Sequence, residues 1–582
     1  MSSNHSKTLD TFFFSQVKNW YEPRSLYWLA AAIFFGILYP CMAIAKASGA
    51  EYWIQDDARQ HIFWMARFLD PALFPNDLIA DYYQNISPQG VKFIYWVLAK
   101  VSFNPITVSH YIPILLGILT SFTAYLFCLE ILNIPLAGFL SSIALNQNLW
   151  MQDGLSSGTA KAFLIPIFIL FLWGVIRKSF VFSWLGIILL GLFYPSFVLV
   201  ASGVLTLRCF QIQNKRIKIN HDKSDLQLNI IGLFIAFFVL LPLALSSSEF
   251  EPVITLAQAQ QLPEFEAGGR TSFFQHTVWD YVFNGSRTGI RITSALIPNI
   301  AYLTLVLPIV LVFKHKFKLS KEINNLSITF QLIISGFTLF ILAHLLLFKL
   351  YLPSRYTLHT LRFAITLLSG VTFVIVIQKF FLILKNRSVV FFKVSPILVS
   401  LILGFLILVE PVIDQDFPVT GYHYGQYSQL YSFLEKTSKD TVIVSVVSEV
   451  NNIPSFTNRS VFIGEEYGIP YHTGYYNRFR QRAKDTIAAH FTTDLKELQS
   501  FIAQSSVDLW LISDDVFKAA YLKNNGWLNH FQPETNQAIA TLESSNKLPA
   551  LQRLETQCIV FTEKDISLID SRCILAAEID NS

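Results

Sequence analysis

The sequence predicts a polytopic α-helical membrane protein, with about eleven transmembrane helices and a C-terminal extracytoplasmic α/β or α+β domain. Three observations predict it. The 582-residue chain is 53% hydrophobic and only 14% charged, whereas soluble domains carry about 25% charge. Its apolar residues gather in long runs, at about 25–47, 108–130, 133–149, 160–176, 180–210, 226–246, 295–313, 326–350, 360–384 and 391–411. Beyond the last run, residues 412–582 turn polar. One soluble core of this composition would leave extensive adhesive surface, so the runs belong in lipid.

Most of these runs approach the ~20 residues that cross a bilayer as a helix. The run at 180–210 is too long for one crossing and carries Tyr194-Pro195 at its centre. Proline interrupts helical hydrogen bonding, so the run divides into two short helices. The basic residues support that division. They cluster at Lys18/Arg24, Arg177-Lys178, Lys215-Arg216/Lys218, Lys314/Lys316/Lys318/Lys321 and Lys385/Arg387. With a cytoplasmic N-terminus and eleven crossings, every cluster falls on the cytoplasmic side, as positive-inside placement requires.

This topology divides the chain into a cytoplasmic segment 1–24, a membrane domain 25–411 and an extracytoplasmic domain 412–582. Residues 1–24 have no apolar core, and no small-residue cleavage site closely follows the first run, so it reads as an uncleaved helix. Outer loops fall at 48–107, 150–159 and 247–294. Within the first, DARQHIFWMARFLD and GVKFIYWVLAKV space apolar residues as interfacial amphipathic helices do. In the last domain TVIVSVVS, SVFIGE, VDLWLISDD and CIVF read as strands, and KDTIAAHFTTDLKELQSFIAQS between them as helix. Cys41, Cys128 and Cys209 lie in or beside apolar runs. Cys558 and Cys573 lie in the outer domain, where a disulfide can persist; two unpaired buried thiols are the alternative. No basic run with interleaved aromatics points to nucleic acid.

The chemistry-bearing residues gather at the outer ends of the runs. Gln55-Asp56-Asp57-Ala58-Arg59-Gln60-His61 follows the first one. Two carboxylates beside apolar surface are costly to hold, which points to use. On a helix Asp57 and His61 share a face, so the carboxylate suits a general base, or the pair suits a divalent metal such as Mg or Mn. The competing reading is a helix N-cap with solvated charge. Asp153 and Lys161 bracket the Gly/Ser-rich second outer loop, whose glycines turn chemistry alone explains. Lys349-Leu350-Tyr351-Leu352-Pro353-Ser354-Arg355-Tyr356, with His359 and Arg362, sits between two late runs. A guanidinium fork favours phosphate; the alternative is basic residues anchored at the interface. In GEEYGIPYHTGYYNRFRQR at 464–482, the tyrosines suit either sugar stacking or packing of the domain onto the membrane. The shared membrane face predicts that Asp56, Asp57, Asp153 and Arg355 line one cavity.

An uncleaved first helix, a long first outer loop opening on paired acidic residues, amphipathic helices within it and a C-terminal outer domain together resemble the GT-C superfamily. Its members are membrane glycosyltransferases that use polyprenyl-phosphate-linked sugars. The YLPSRY and RSVFIGEEYGIPYHTGYY stretches look like those of bacterial, notably cyanobacterial, members. The resemblance implies an inverting hexosyl- or pentosyltransferase of the bacterial inner membrane, acting on a glycan, lipid or protein acceptor. It implies that Asp56 or Asp57 is the catalytic base or a metal ligand. Arg355, with Arg362, would hold the lipid phosphate, and Arg59, His61, Asp153, Lys161, Tyr356 and His359 would support the site. Two other classes work on the same membrane face, an O-antigen-type polysaccharide polymerase and a transporter or flippase of lipid-linked sugars. A transporter would carry charge within its helices, and these runs are nearly free of it.

Overall fold

The computed structural model describes residues 11–213, 216–385, 391–544 and 547–578. Each apolar run forms helix. Pro23–Lys46, Pro105–Ile131, Lys223–Leu245, Ser327–Leu345 and the helix beginning at Pro353 are long and apolar enough to cross a membrane by length and composition. Ala160–Ile176, Phe180–Phe193, Ser196–Arg208 and Asn299–Val312 are shorter. Pro135–Trp150 buries Asn146, Gln147 and Asn148 among its apolar residues. The division at Tyr194-Pro195 is as expected: one helix stops at Phe193 and the next starts at Ser196. The run at 295–313 is less regular than expected. It holds a 3-10 segment Asn299–Val306 followed by the short helix Leu307–Val312, with Pro298 before the first and Pro308 near the start of the second. Among the basic residues used for topology, Lys215 and Arg387 lie outside the described residues.

The helices pack closely where small residues meet. A Cβ on Gly117 would fall 2.1 Å from the Gly36 carbonyl oxygen, so glycine is required where the Pro23–Lys46 and Pro105–Ile131 helices cross. The long helix Pro353–Lys385 packs against Pro135–Trp150 and Ser327–Leu345.

The first outer loop differs from its expected form. DARQHIFWMARFLD makes a short α-helix, Asp56–His61, then a 3-10 segment, Phe63–Phe68. It is not laid open on an interface, because Phe63, Trp64 and Met65 are each at most 1% exposed. The C-terminal domain supplies part of that cover, with the Phe63 ring 5.5 Å from Tyr467. GVKFIYWVLAKV forms the helix Gln89–Lys100, with Phe93, Trp96 and Val97 exposed along one side, as an amphipathic helix requires.

The C-terminal domain is α/β. Its five-stranded sheet runs in the order Ser460–Val461, Val442–Val444, Leu509–Ser513, Ile566–Asp570, Ile559–Glu563. The first three strands are mutually parallel and the last two continue antiparallel. Ile566–Asp570 adds a strand that the sequence reading did not identify. The expected single helix is two, Thr473–Phe491 and Leu495–Ser505, with Asp494 capping the second. Cys558 and Cys573 form a disulfide. Trp53–Gln55 pairs antiparallel with Tyr422–Tyr424, fastening the chain that follows the helix Pro23–Lys46 to the chain just beyond the helix Phe391–Ile413.

Candidate active site

The acidic pair is placed by a cap. Gln55 is the N-cap of the short helix, its side chain accepting a hydrogen bond from the Ala58 amide at 3.1 Å. The N-cap reading of the aspartates is therefore incorrect. Asp56 and Asp57 occupy the first turn instead, where a helix N-terminus favours negative charge. About 100° apart around the helix, they meet different partners. Asp56 bonds Arg59 at 3.0 Å and His423 Nε2 at 2.9 Å. The Trp53–Gln55 ribbon brings His423 there by pairing it with Ile54. Asp57 meets the Lys161 ammonium at 2.8 Å.

Both aspartates line a cavity of about 570 Å³ between the first outer loop, several helix ends and the C-terminal domain. His61, Lys161 and Arg355 line it too. Five of the lining residues are Lys or Arg (Lys161, Arg270, Arg287, Lys349, Arg355) and three are Asp or Glu (Asp56, Asp57, Glu466). The balance suits an anionic ligand with a polar group to be activated beside it. Apolar walls from Met65, Ile86, Val91, Phe193, Phe348 and Leu352 complete the cavity.

The remaining expected residues divide between the cavity and its supports. Asp153 is not in the wall. It stands behind Lys161, whose Nζ lies 3.4 Å from both of its carboxylate oxygens. Arg59 is turned into the domain interface, donating to Asn452 at 2.9 Å and Glu466 at 3.0 Å. Arg362 donates to Gln152 at 3.2 Å. Tyr356 is buried and donates to the Leu350 carbonyl. His359 packs edge-on against Phe197 and Tyr194. Arg362 lies two turns, about 10.5 Å, deeper in its helix than Arg355, and it does not line the cavity as Arg355 does.

The electrostatics follow from these contacts. Burial acts to raise the Asp57 carboxyl, but the Lys161 charge and hydrogen bond prevail and hold it well below the usual carboxylate range. Asp56 is also lowered; the His423 hydrogen bond and the Arg59 charge overcome its burial. Burial holds His61 below its ordinary value and pushes Asp153 above its own, against the pull of Lys161. Asp57 is therefore a fixed negative charge at neutral pH.

Several residues of the site were not anticipated. Glu466 accepts from Arg59 at 3.0 Å and from Arg270 at 2.8 Å. It belongs to the tyrosine-rich stretch noted in the sequence, which is used mainly for packing. Tyr475 stacks on Tyr82 at 3.7 Å, and Tyr82 hydrogen-bonds His472 at 2.9 Å. Tyr471 and His472 do reach the cavity wall. Tyr194, noted only as part of a helix break, lines it as well. Tyr351, also in the wall, has a φ of +67°, a strained backbone for a bulky residue that concentrates at functional sites.

The donor set does not complete a divalent metal site. Asp57 and His61 face the cavity together, but the Asp57 carboxylate is already met by Lys161. Among the described residues no group of three His, Cys, Asp or Glu is placed to hold a metal ion.

No family model matches the chain, and no curated protein matches it. Solved structures do. A crystal structure of the Archaeoglobus fulgidus oligosaccharyltransferase, tethered to an acceptor peptide containing the NVT sequon, aligns with a TM-score of 0.53 and 11% identity. The alignment covers 89% of this chain and 72% of that one. The same enzyme complexed with an inhibitory peptide and a dolichol-phosphate gives a TM-score of 0.46, 12% identity and coverage of 89% and 73%. The first alignment shows that this chain shares its fold with that oligosaccharyltransferase.

Proposed function

We propose that the chain is a membrane glycosyltransferase that moves a sugar from a polyprenyl-phosphate-linked donor onto an extracytoplasmic glycan, lipid or protein acceptor. The observation that carries this reading is the meeting of the Asp56/Asp57 pair and Arg355 in one cavity. An acid–base group and a phosphate-binding cation are the two parts such a transfer needs. The GT-C-type fold supports it in general terms.

In this reading the phosphate of the donor binds among Arg355, Arg287 and Lys349, where guanidinium forks give bidentate contacts. The apolar wall takes the first units of the lipid. The acceptor's nucleophilic atom sits against the Asp56/Asp57 side and attacks the anomeric carbon. As that bond forms, the bond from the anomeric carbon to the phosphate oxygen breaks, and the lipid phosphate leaves with the electron pair. Asp56 or Asp57 takes the proton from the acceptor. A single displacement inverts the anomeric centre. Phosphate is a good leaving group, so the cations stabilise developing charge and no strong acid is needed. The cytoplasmic N-terminus, the outer placement of residues 412–582 and the inner membrane location belong to the same proposal.

The reading is tested by incubating purified protein with membrane lipid carrying labelled sugar and a pool of acceptors. Transfer that falls about 10²-fold or more in Arg355→Ala supports it. Equal transfer by Arg355→Ala and wild type contradicts it.

A further inference from the structure

Lys161 is the second residue of the helix Ala160–Ile176. A cation in a first turn opposes the helix macrodipole, so something must compensate. Two carboxylates from different parts of the chain do so: Asp57 at 2.8 Å from the first outer loop, and both oxygens of Asp153 at 3.4 Å from the second. Lys161 and the two aspartates are only partly exposed, at 24% for the lysine side chain and 35% for each carboxylate side chain. Asp153 holds its place with a φ of +52°, a conformation that aspartate tolerates better than most residues.

Two convergent carboxylates beside a polar cavity are the donor types a hard divalent cation takes. Here the gap between them already holds a cation. A lysine ammonium is a compact point charge with three donors. Asp57 and Asp153 engage two of them, which leaves one for a ligand in the cavity. Arg355 adds its charge near Asp57, and Arg362 does so near Asp153. The charge of both carboxylates is therefore met by side chains alone.

We propose that Lys161 is the resident cation of this site, standing between Asp57 and Asp153 where a divalent metal would otherwise bind. It acts as a positioning residue for Asp57. Resting on the glycosyl-transfer reading above, it follows that transfer needs no divalent metal. The position of the ammonium itself is tested without any substrate. Mn²⁺ is titrated into purified wild type, Lys161→Ala, Asp57→Asn and the double variant, and free Mn²⁺ is followed by electron paramagnetic resonance.

The expected result is that wild type leaves the free-ion signal unchanged. Lys161→Ala removes a single ion per chain from solution, and adding Asp57→Asn weakens that binding by at least about tenfold. Wild type that takes up Mn²⁺ in a manner lost in Asp57→Asn overturns the proposal. So does a folded Lys161→Ala that ignores Mn²⁺ as wild type does. Should Lys161→Ala fail to fold, chelation decides the matter: transfer by wild type is unchanged in excess EDTA, and a loss of about tenfold or more, restored by Mn²⁺, overturns the proposal. Absence of transfer under all conditions would contradict the glycosyl-transfer reading and leave the Mn²⁺ titration standing.

Discussion

Arg59 and Glu466 are separated by 407 residues in sequence and by 3.0 Å in space. The pair joins the short helix carrying Asp56 and Asp57 to the C-terminal domain, and its side chains are only 8% and 11% exposed. Removing one partner of a buried pair strands the other charge, at a cost of about 3–5 kcal/mol. Arg270 remains on Glu466, so Arg59→Met should fall near the lower end, about 3 kcal/mol. Denaturant unfolding in detergent measures this. A change indistinguishable from zero would mean that the two parts are not held together here.

The disulfide between Cys558 and Cys573 closes a loop of 15 residues. Such a crosslink contributes about 3 kcal/mol, mainly by restricting the unfolded chain. A Cys558→Ser/Cys573→Ser variant should lose about that much from the C-terminal domain. Mass spectrometry of peptides from unreduced protein should recover the linked pair. Two free thiols in protein isolated from membranes would contradict both the link and the oxidising compartment it needs.

Acid should weaken the site in a defined direction. Asp57 is held below its ordinary carboxylate value, with Lys161 overcoming burial. A carboxyl whose folded pKa is depressed stabilises the fold above its unfolded pKa, about 3.9, and loses that contribution as pH falls toward the lower folded value. The thermal midpoint of wild type should therefore fall between about pH 5 and pH 2.5 more steeply than that of Asp57→Asn. Parallel curves would show that the Asp57–Lys161 pair has no such coupling.

Positive-inside placement of the basic residues predicts that the C-terminal domain and the N-terminus lie on opposite sides of the membrane. A periplasm-active reporter fused after residue 582 should be active, and one fused before residue 1 should not. The reverse pattern would contradict the cytoplasmic placement of the N-terminus, and like activity at both ends would contradict eleven crossings.

What could be read from sequence depended on how local its cause is. The break at Tyr194-Pro195 was legible because proline acts on its own helix. The shared cavity of Asp56, Asp57 and Arg355 was legible because their membrane face follows from counting crossings. Other features have long-range causes. Nothing near Lys161 marks it as the partner of Asp57, and nothing near Glu466 pairs it with both Arg59 and Arg270. His423 reaches Asp56 only because a two-stranded ribbon places it there. Arg362 is the opposite case. Its spacing from Arg355 suggests a joint phosphate site, but two helical turns carry it about 10.5 Å away, to Gln152.

The central claim is that the acidic pair performs the chemistry. It is tested most directly by measuring transfer of labelled sugar from membrane lipid by purified Asp56→Asn and Asp57→Asn, alongside their thermal stability. Removing a general base costs about 10²–10⁴ in rate. At least one of the two variants should lose that much while remaining cooperatively folded at neutral pH, and the variant that does identifies the base. Transfer by both variants at the wild-type rate would contradict the account.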